Sequence, residues 1–451
     1  MNAPLASFDL DGYAARYRAR GKIQRLRFIA DRNSDLRVDA LRLAVSEAKK
    51  GYDTFLYKEI FKQADGALGE DFTLDEEWIM RKNQWAGKQL ELLKHELEEN
   101  KQQANKEVIR TGHNDLGDFF HKRGKLKQAR GDYTKTRDYC GHALHNLQMC
   151  MKVITVSIEA GDFAPIENHY MMAANIPDVD KDCTELAKMR ACAGLASLVR
   201  GNYAAASQRF LTTNGDASEE KISNLQREFG DIMSLEDVAI YGGLCALATL
   251  DRSALTKQVI EKPEFRNLLE LVPDVREIIY DFYHSRYTRC LTTMATIRPE
   301  LMLDMHLGRE GHVDTLFRLI QRKAIVQYVS PFISADLGRM QAIFGTTAKE
   351  LENELLELIH IGAINARIDK QNNALHAKKS NARLEAITSS LQKGQEAFED
   401  AEAMLLRMTL LKNDVQVSSP SLSRAASEMG PRGRSFISIA DNVFDRNIRH
   451  S

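Results

Sequence analysis

Apolar residues recur along most of this chain at the three- and four-residue spacing of a helix face, and the period changes to two only after Gly362. Val313–Tyr328 carries Leu316, Leu319, Ile320 and Ala324 on one face. Ser330–Pro331 ends that helix, because the proline ring forces its predecessor out of the α region. Ser334 is placed to cap a second helix with an inner face of Leu337, Met340, Ile343 and Phe344, stopped by Gly345. A third opens on the capping box Thr347–Glu350, buries Leu351, Leu355, Leu358 and Ile359, and ends at Gly362. Ile364, Ala366 and Ile368 then alternate with Asn365, Arg367 and Asp369. A polar turn, Lys370–Asn373, leads into a short second strand over Ala374–Lys378.

Three helices followed by a two-stranded ribbon is the winged-helix arrangement, a fold met most often as a DNA reader with its third helix in the major groove. Here that helix sets Glu350, Glu352, Glu354 and Glu357 against Lys349, a net charge of −3 (four acids, one base) that opposes a polyphosphate. The pattern does not point to nucleic acid, and a winged-helix regulator of nucleic acid is the competing reading from another functional class. The module is expected to hold protein instead. Ile364, Ala366, Ile368 and Leu375 are then the candidate subunit-interface residues at an unpaired wing edge.

Upstream, Met1–Asp35 predicts one helix after a loose start, with Tyr13, Tyr17, Ile23, Leu26, Phe28 and Ile29 as its apolar positions. Leu36–Lys50 predicts an amphipathic helix ended by Gly51, and Asp75–Glu107 a long charged helix anchored by Trp78, Trp85, Leu92 and Leu93. From Asp115 an internal repeat sets in. Leu116–Gly117, Gly124, Ala129 and Tyr133 are matched, seventy-seven residues on, by Ala193–Gly194, Gly201, Ala206 and Phe210. Val153, Gly161, Ile166 and Tyr170 form a weaker copy between them. This is the pattern of a tetratricopeptide-like helical hairpin, stacked into a solenoid: a small residue lets two helices approach and an aromatic closes the pair.

After the wing, Leu384, Leu391, Phe398 and Leu405 recur every seven residues, with Ile387, Gly394, Ala401 and Met408 as a second seam. Four heptads predict a long helix that packs into a bundle of other helices. The patterns describe an all-α dominated chain. It divides into an N-terminal helical region (1–110), helical repeats (111–305), a winged helix with a small β-ribbon (306–380), a C-terminal bundle helix (381–413) and a disordered Ser-, Gly- and Arg-rich tail (414–451).

The totals add exclusions. Sixty-two basic against 63 acidic residues imply no global pull toward nucleic acid or membrane. No apolar run approaches the ~18 residues of a membrane span, and the first thirty residues lack a signal-peptide core. The six cysteines lie in helical patterns without a C-x-x-C pair, as reduced core thiols of cytosol or nucleus do. Neither His-x-His nor His-Glu-x-x-His nor a phosphate-cradling glycine pattern occurs, so no catalytic residue, metal ligand or cofactor is expected. Cys140, His142, His145 and Cys150 fit no zinc spacing. One charge cluster stands out: Lys122, Arg123, Lys125, Lys127 and Arg130, continued by Lys135 and Arg137 and opposed only by Asp132, form a basic corner that could receive an acidic partner.

A helical-repeat solenoid running into a winged helix resembles the PCI domain shared by proteasome-lid, signalosome and initiation-factor subunits, here over about 215–380. Gly112–Asp118, Arg137–Cys140, Tyr241–Thr249, Gln327–Asp336 and Ala366–Asp369 resemble, within it, the subunit-one family of the constitutive-photomorphogenesis signalosome. The likeness covers roughly Arg20 to Asn413. Gly338 and Gln341 in the second winged-helix helix depart from it, and the tail matches nothing. The resemblance implies a non-catalytic scaffold subunit in cytoplasm and nucleus. The complex it implies removes the ubiquitin-like modifier from cullins, and so regulates cullin-RING ligases, through a zinc held by another subunit. It also implies that the subunits join through winged-helix edges and C-terminal helices. The equivalent proteasome-lid subunit is the alternative.

Overall fold

The computed structural model describes residues 8–69, 72–102, 105–177, 183–213, 229–378 and 382–413, so the tail expected over 414–451 lies outside the described residues. The chain forms two compact units, Met1–Ala377 and Lys378–Ser451.

The first unit opens with α1 (Leu10–Ala15), α2 (Ala19–Arg32), α3 (Arg37–Lys50) and α4 (Thr54–Ala64). The single helix expected over the first of these segments is two. The chain breaks at Arg16–Arg18, where the Tyr17 hydroxyl donates to Asp237 and the Arg18 N–H to the Gly230 carbonyl. These helices share a core built on Ile29, Leu41, Tyr57 and Ile60. The long charged helix also ends earlier than expected: α5 covers Glu76–Gln102, and α6 (Lys106–Lys122) starts afresh because the Asn105 side chain accepts from the Glu107 N–H.

The repeat hairpins follow as α6 with α7 (Leu126–Lys135), α8 (Ala143–Glu159) with α9 (Ile166–Ala174), and α10 (Thr184–Val199) with α11 (Tyr203–Leu211). Each packs on the next, and α11 packs on α12 (Leu235–Thr249). The repeated offsets have a steric cause. A Cβ on Gly117 would lie 2.4 Å from the Tyr133 ring and one on Gly194 2.9 Å from the Phe210 ring, so each aromatic sits in the space its glycine leaves. The corner residues Gly124, Gly161 and Gly201 all take the left-handed conformation (φ +72°, +73° and +75°) that ends the first helix of a pair.

Beyond α12, one helical turn (Arg252–Leu255) passes into a π turn (Thr256–Ile260). Then come α13 (Pro263–Leu269), α14 (Pro273–Tyr283) and α15 (Tyr287–Leu301). The winged helix consists of α16 (His312–Val329), β1 (Ser334–Asp336), α17 (Leu337–Phe344), α18 (Ala348–His360), β2 (Ala366–Asp369) and β3 (Ala374–Ala377). The capping box Thr347–Glu350 forms as expected. Two details differ. The ribbon is a three-stranded antiparallel sheet ordered β1–β3–β2, with Ser334 opposite His376. Ser334 is therefore a strand residue, and Asp336 caps α17 by accepting from the Gly338 N–H. The described residues of the second unit form one long helix, α19 (Ala382–Lys412).

Candidate interaction surfaces

The winged helix presents a different face from the one its strand pattern suggested. Ile364, Ala366 and Leu375 are buried in the module's own core and Ile368 packs half-buried against it. Their side chains point inward, so here the apolar face of the alternating strand meets its own module. What the wing offers outward is backbone: among the described residues, no strand pairs with the free edge of β2. The charge of α18 also needs correcting. Arg318 and Arg322 of α16 hold Glu354 at 3.0 and 2.7 Å and also pair with Glu357, while Lys370 holds Glu352 at 2.8 Å. Hydrogen bonds from Thr347 hold the Glu350 carboxyl below the usual range. The helix is thus largely neutralised rather than repulsive, yet its carboxylates are engaged and Lys349 is its one lysine.

On α19 the predicted seam is entirely on the outside. Leu384, Leu391, Phe398 and Leu405 are 60, 68, 64 and 62% exposed. Ile387 and Met408 of the second seam are exposed too, as are Met404, Leu406 and Leu411. This is a large apolar surface for a helix to leave in water, of the kind that marks an interaction surface.

The basic corner is partly consumed inside the protein. Arg123 donates to the Tyr52 carbonyl and to Asn83 Oδ1, both at 2.8 Å, and Arg130 pairs with Asp162 at 2.5 Å. Nearby, Arg20 holds Asp53 at 2.6 Å, and a Cβ on Gly124 would strike that carboxylate. His121 bonds Glu159 at 2.8 Å. Arg123 thereby fastens the N-terminal helices to the first repeat, while Arg130 and His121 join the first repeat hairpin to the second. These contacts leave Lys122, Lys125 and Lys127 exposed, with no carboxylate partner among the described residues.

Pattern reading missed the most buried charge among the described residues. The Arg25 guanidinium, 1% exposed, donates to Asp304 at 2.7 Å, Asp237 at 3.1 Å and the Tyr13 hydroxyl at 3.1 Å, and lies over the Tyr17 ring. Tyr17 and Tyr241 donate to Asp237 and Asp304, and the backbone N–H groups of His306 and Leu307 complete Asp304. Burial pushes both carboxyls up. At Asp237 burial prevails, whereas at Asp304 Arg25, His306 and the hydrogen bonds hold the carboxyl below its ordinary range. Burial and the neighbouring guanidinium push the His306 imidazole down to about 3. The node ties α2 to α12 and to the segment before α16. The one local sign of it was an arginine inside an otherwise apolar helix face.

No three His, Cys, Asp or Glu side chains among the described residues converge as a metal site would require. Cys140, Cys150, Cys192, Cys245 and Cys290 are free thiols. Burial pushes the Cys150 thiol up to about 11 and those of Cys192 and Cys290 to about 12, the opposite of what activates a nucleophile. No described helix is long and apolar enough to cross a membrane.

Two family models match the chain: one described as 26S proteasome subunit RPN7 over residues 75–258, and one for the PCI domain over 288–379. Among curated proteins, COP9 signalosome complex subunit 1 of Arabidopsis thaliana is 42% identical over 414 residues, covering 91% of each chain. COP9 signalosome complex subunit 1b of Drosophila melanogaster is 33% identical over 92% of this chain and 87% of its own. The subunit 1 of Emericella nidulans is 32% identical over 95% and 88%.

Proposed function

The chain belongs to the COP9 signalosome subunit 1 family, and from that premise we propose that it is a non-catalytic scaffold of the complex whose assembly runs through α19. The carrying observation is the exposed heptad seam of Leu384, Leu391, Phe398 and Leu405, which only other helices can cover along its whole length. The free edge of β2 supplies a second junction, where a neighbour's strand can add by backbone pairing. Through the complex the subunit serves removal of the ubiquitin-like modifier from cullins, in cytoplasm and nucleus, with the reactive zinc in another subunit.

The proteasome-lid reading draws support from the family model over 75–258, but relatives covering about nine-tenths of this chain carry the signalosome name. Purifying the tagged full chain and identifying its companions separates the two. Signalosome subunits are the expected companions, and recovery with proteasome-lid subunits would reverse the choice. The purified chain alone should leave a modified cullin intact.

A further inference from the structure

Two cationic stretches that are distant in sequence meet on one surface around a cluster of aromatic rings. Between Glu77 and Glu91, α5 carries Arg81, Lys82 and Lys88 and no acid; between Asp118 and Asp132 the corner carries five more cations. Asn83 joins the two, its Oδ1 accepting from Arg123 of the corner at 2.8 Å and from Thr54 at the start of α4 at 3.0 Å. Beside this junction Trp85 stacks on Tyr52 (centroids 4.7 Å, 27°) and lies 6.4 Å from Phe119, while Lys82 covers Tyr52 at 4.0 Å. Trp85 remains 42% exposed, and Phe55, next to Thr54, is 69% exposed. Arg81, Lys88, Lys122, Lys125 and Lys127 are exposed, and neither they nor Lys82 have a carboxylate partner among the described residues.

We infer that this surface of α4, α5 and the α6–α7 corner binds an acidic peptide segment carrying an aromatic or aliphatic anchor. The anchor lies against Trp85 and Phe55, and its flanking carboxylates meet the lysines on either side. Charge complementarity selects the occupant. Six unpaired cations beside two exposed aromatics give an acidic chain both long-range attraction and an apolar foothold. Single-stranded nucleic acid, the other ligand of mixed basic and aromatic surfaces, needs open ring faces for its bases. Here Tyr52 is covered on one side by Trp85 and approached by Lys82, and Trp85 lies between Tyr52 and Phe119. Tyr52 and Trp85 therefore offer edges rather than platforms. The inference deepens the scaffold reading by naming what this body recruits. It is tested by binding, whereas the scaffold reading is tested by assembly, so the two can fail separately.

The chain has two tryptophans, so Trp78→Phe leaves Trp85 as the single reporter. The full-length variant is titrated with a synthetic Asp/Glu peptide bearing a central Phe–Leu pair, with oligoglutamate, and with oligothymidylate. The anchored peptide should shift the Trp85 emission saturably and bind more weakly as salt rises. It should lose roughly tenfold or more in affinity in Lys122→Glu/Lys125→Glu/Lys127→Glu. The separate pair Arg81→Glu/Lys88→Glu on α5 should also weaken it, with the far-UV circular dichroism of both variants unchanged. An absent or unsaturable response overturns the proposal, and so does parental affinity in both charge reversals. Equal binding of oligoglutamate would remove the anchor, and equal binding of oligothymidylate would make the surface a nucleic-acid site; either result also overturns it.

Discussion

At the scale of single residues, Arg25 and His306 carry the strongest consequences. Truncating Arg25 to Ala leaves two buried carboxylates, Asp237 and Asp304, facing each other without their shared cation. Breaking a buried pair from one side costs about 3–5 kcal/mol, so Arg25→Ala should lower the chemical-denaturation midpoint markedly. A loss below about 1 kcal/mol would show that the node is relaxed by water. His306 gives the node a pH dependence of definite sign. Its folded pKa, about 3, lies below the ordinary value, so the unfolded chain binds the extra proton between the two. Its contribution is therefore complete above about pH 6.5 and falls as pH drops toward 3, by about 2 kcal/mol between pH 7 and 5. Asp304, with its lowered carboxyl, acts the same way only near pH 4 and below, while Asp237 and His121, both raised, act oppositely. The comparison with His306→Gln isolates the histidine. The variant should lose less stability between pH 7 and 5 than the parent, and equal losses would remove His306 from the account. None of this could be read in advance, because Arg25 meets partners 212 and 279 residues away and no local period links them.

Elements were legible where periodicity and caps agreed. The repeat corners and the helices of the winged module were readable because glycine in the left-handed region and the Thr347–Glu350 box mark their ends chemically. The misses share a cause. β1 has three residues, too few to show a period of two, so Ser334 looked like a cap. The break between α5 and α6 has neither proline nor glycine, and Asn105 is its one signal. The strand residues of the wing were found, but alternation cannot say whether the apolar face meets its own module or a neighbour. Neutralisation of α18 by Arg318 and Arg322 likewise depended on which helix packs beside it. One prediction survives that correction. With Glu352, Glu354 and Glu357 held by cations of the same module and one lysine on the helix, the protein should show no sequence-dependent DNA binding at physiological salt. Sub-micromolar binding to particular duplexes in a mobility-shift titration would restore the regulator reading.

For the whole molecule, the fold class followed from the chain itself: a helical region running into a winged-helix module. The joins did not, since Arg25 and Arg123 fasten the N-terminal helices to the repeats through contacts that no pattern announces. The central claim is that α19 is the element through which this subunit enters its complex. Truncating a buried Phe costs about 3–5 kcal/mol, and a lone helix has no core of its own to absorb that loss, so it falls on assembly. The direct measurement is co-migration of Phe398→Asp/Leu405→Asp with the other signalosome subunits on size-exclusion chromatography after co-expression. The double variant should keep the circular dichroism and denaturation profile of the parent yet elute apart from the complex. Elution of the double variant with the assembled complex, in parental proportion, would contradict the account.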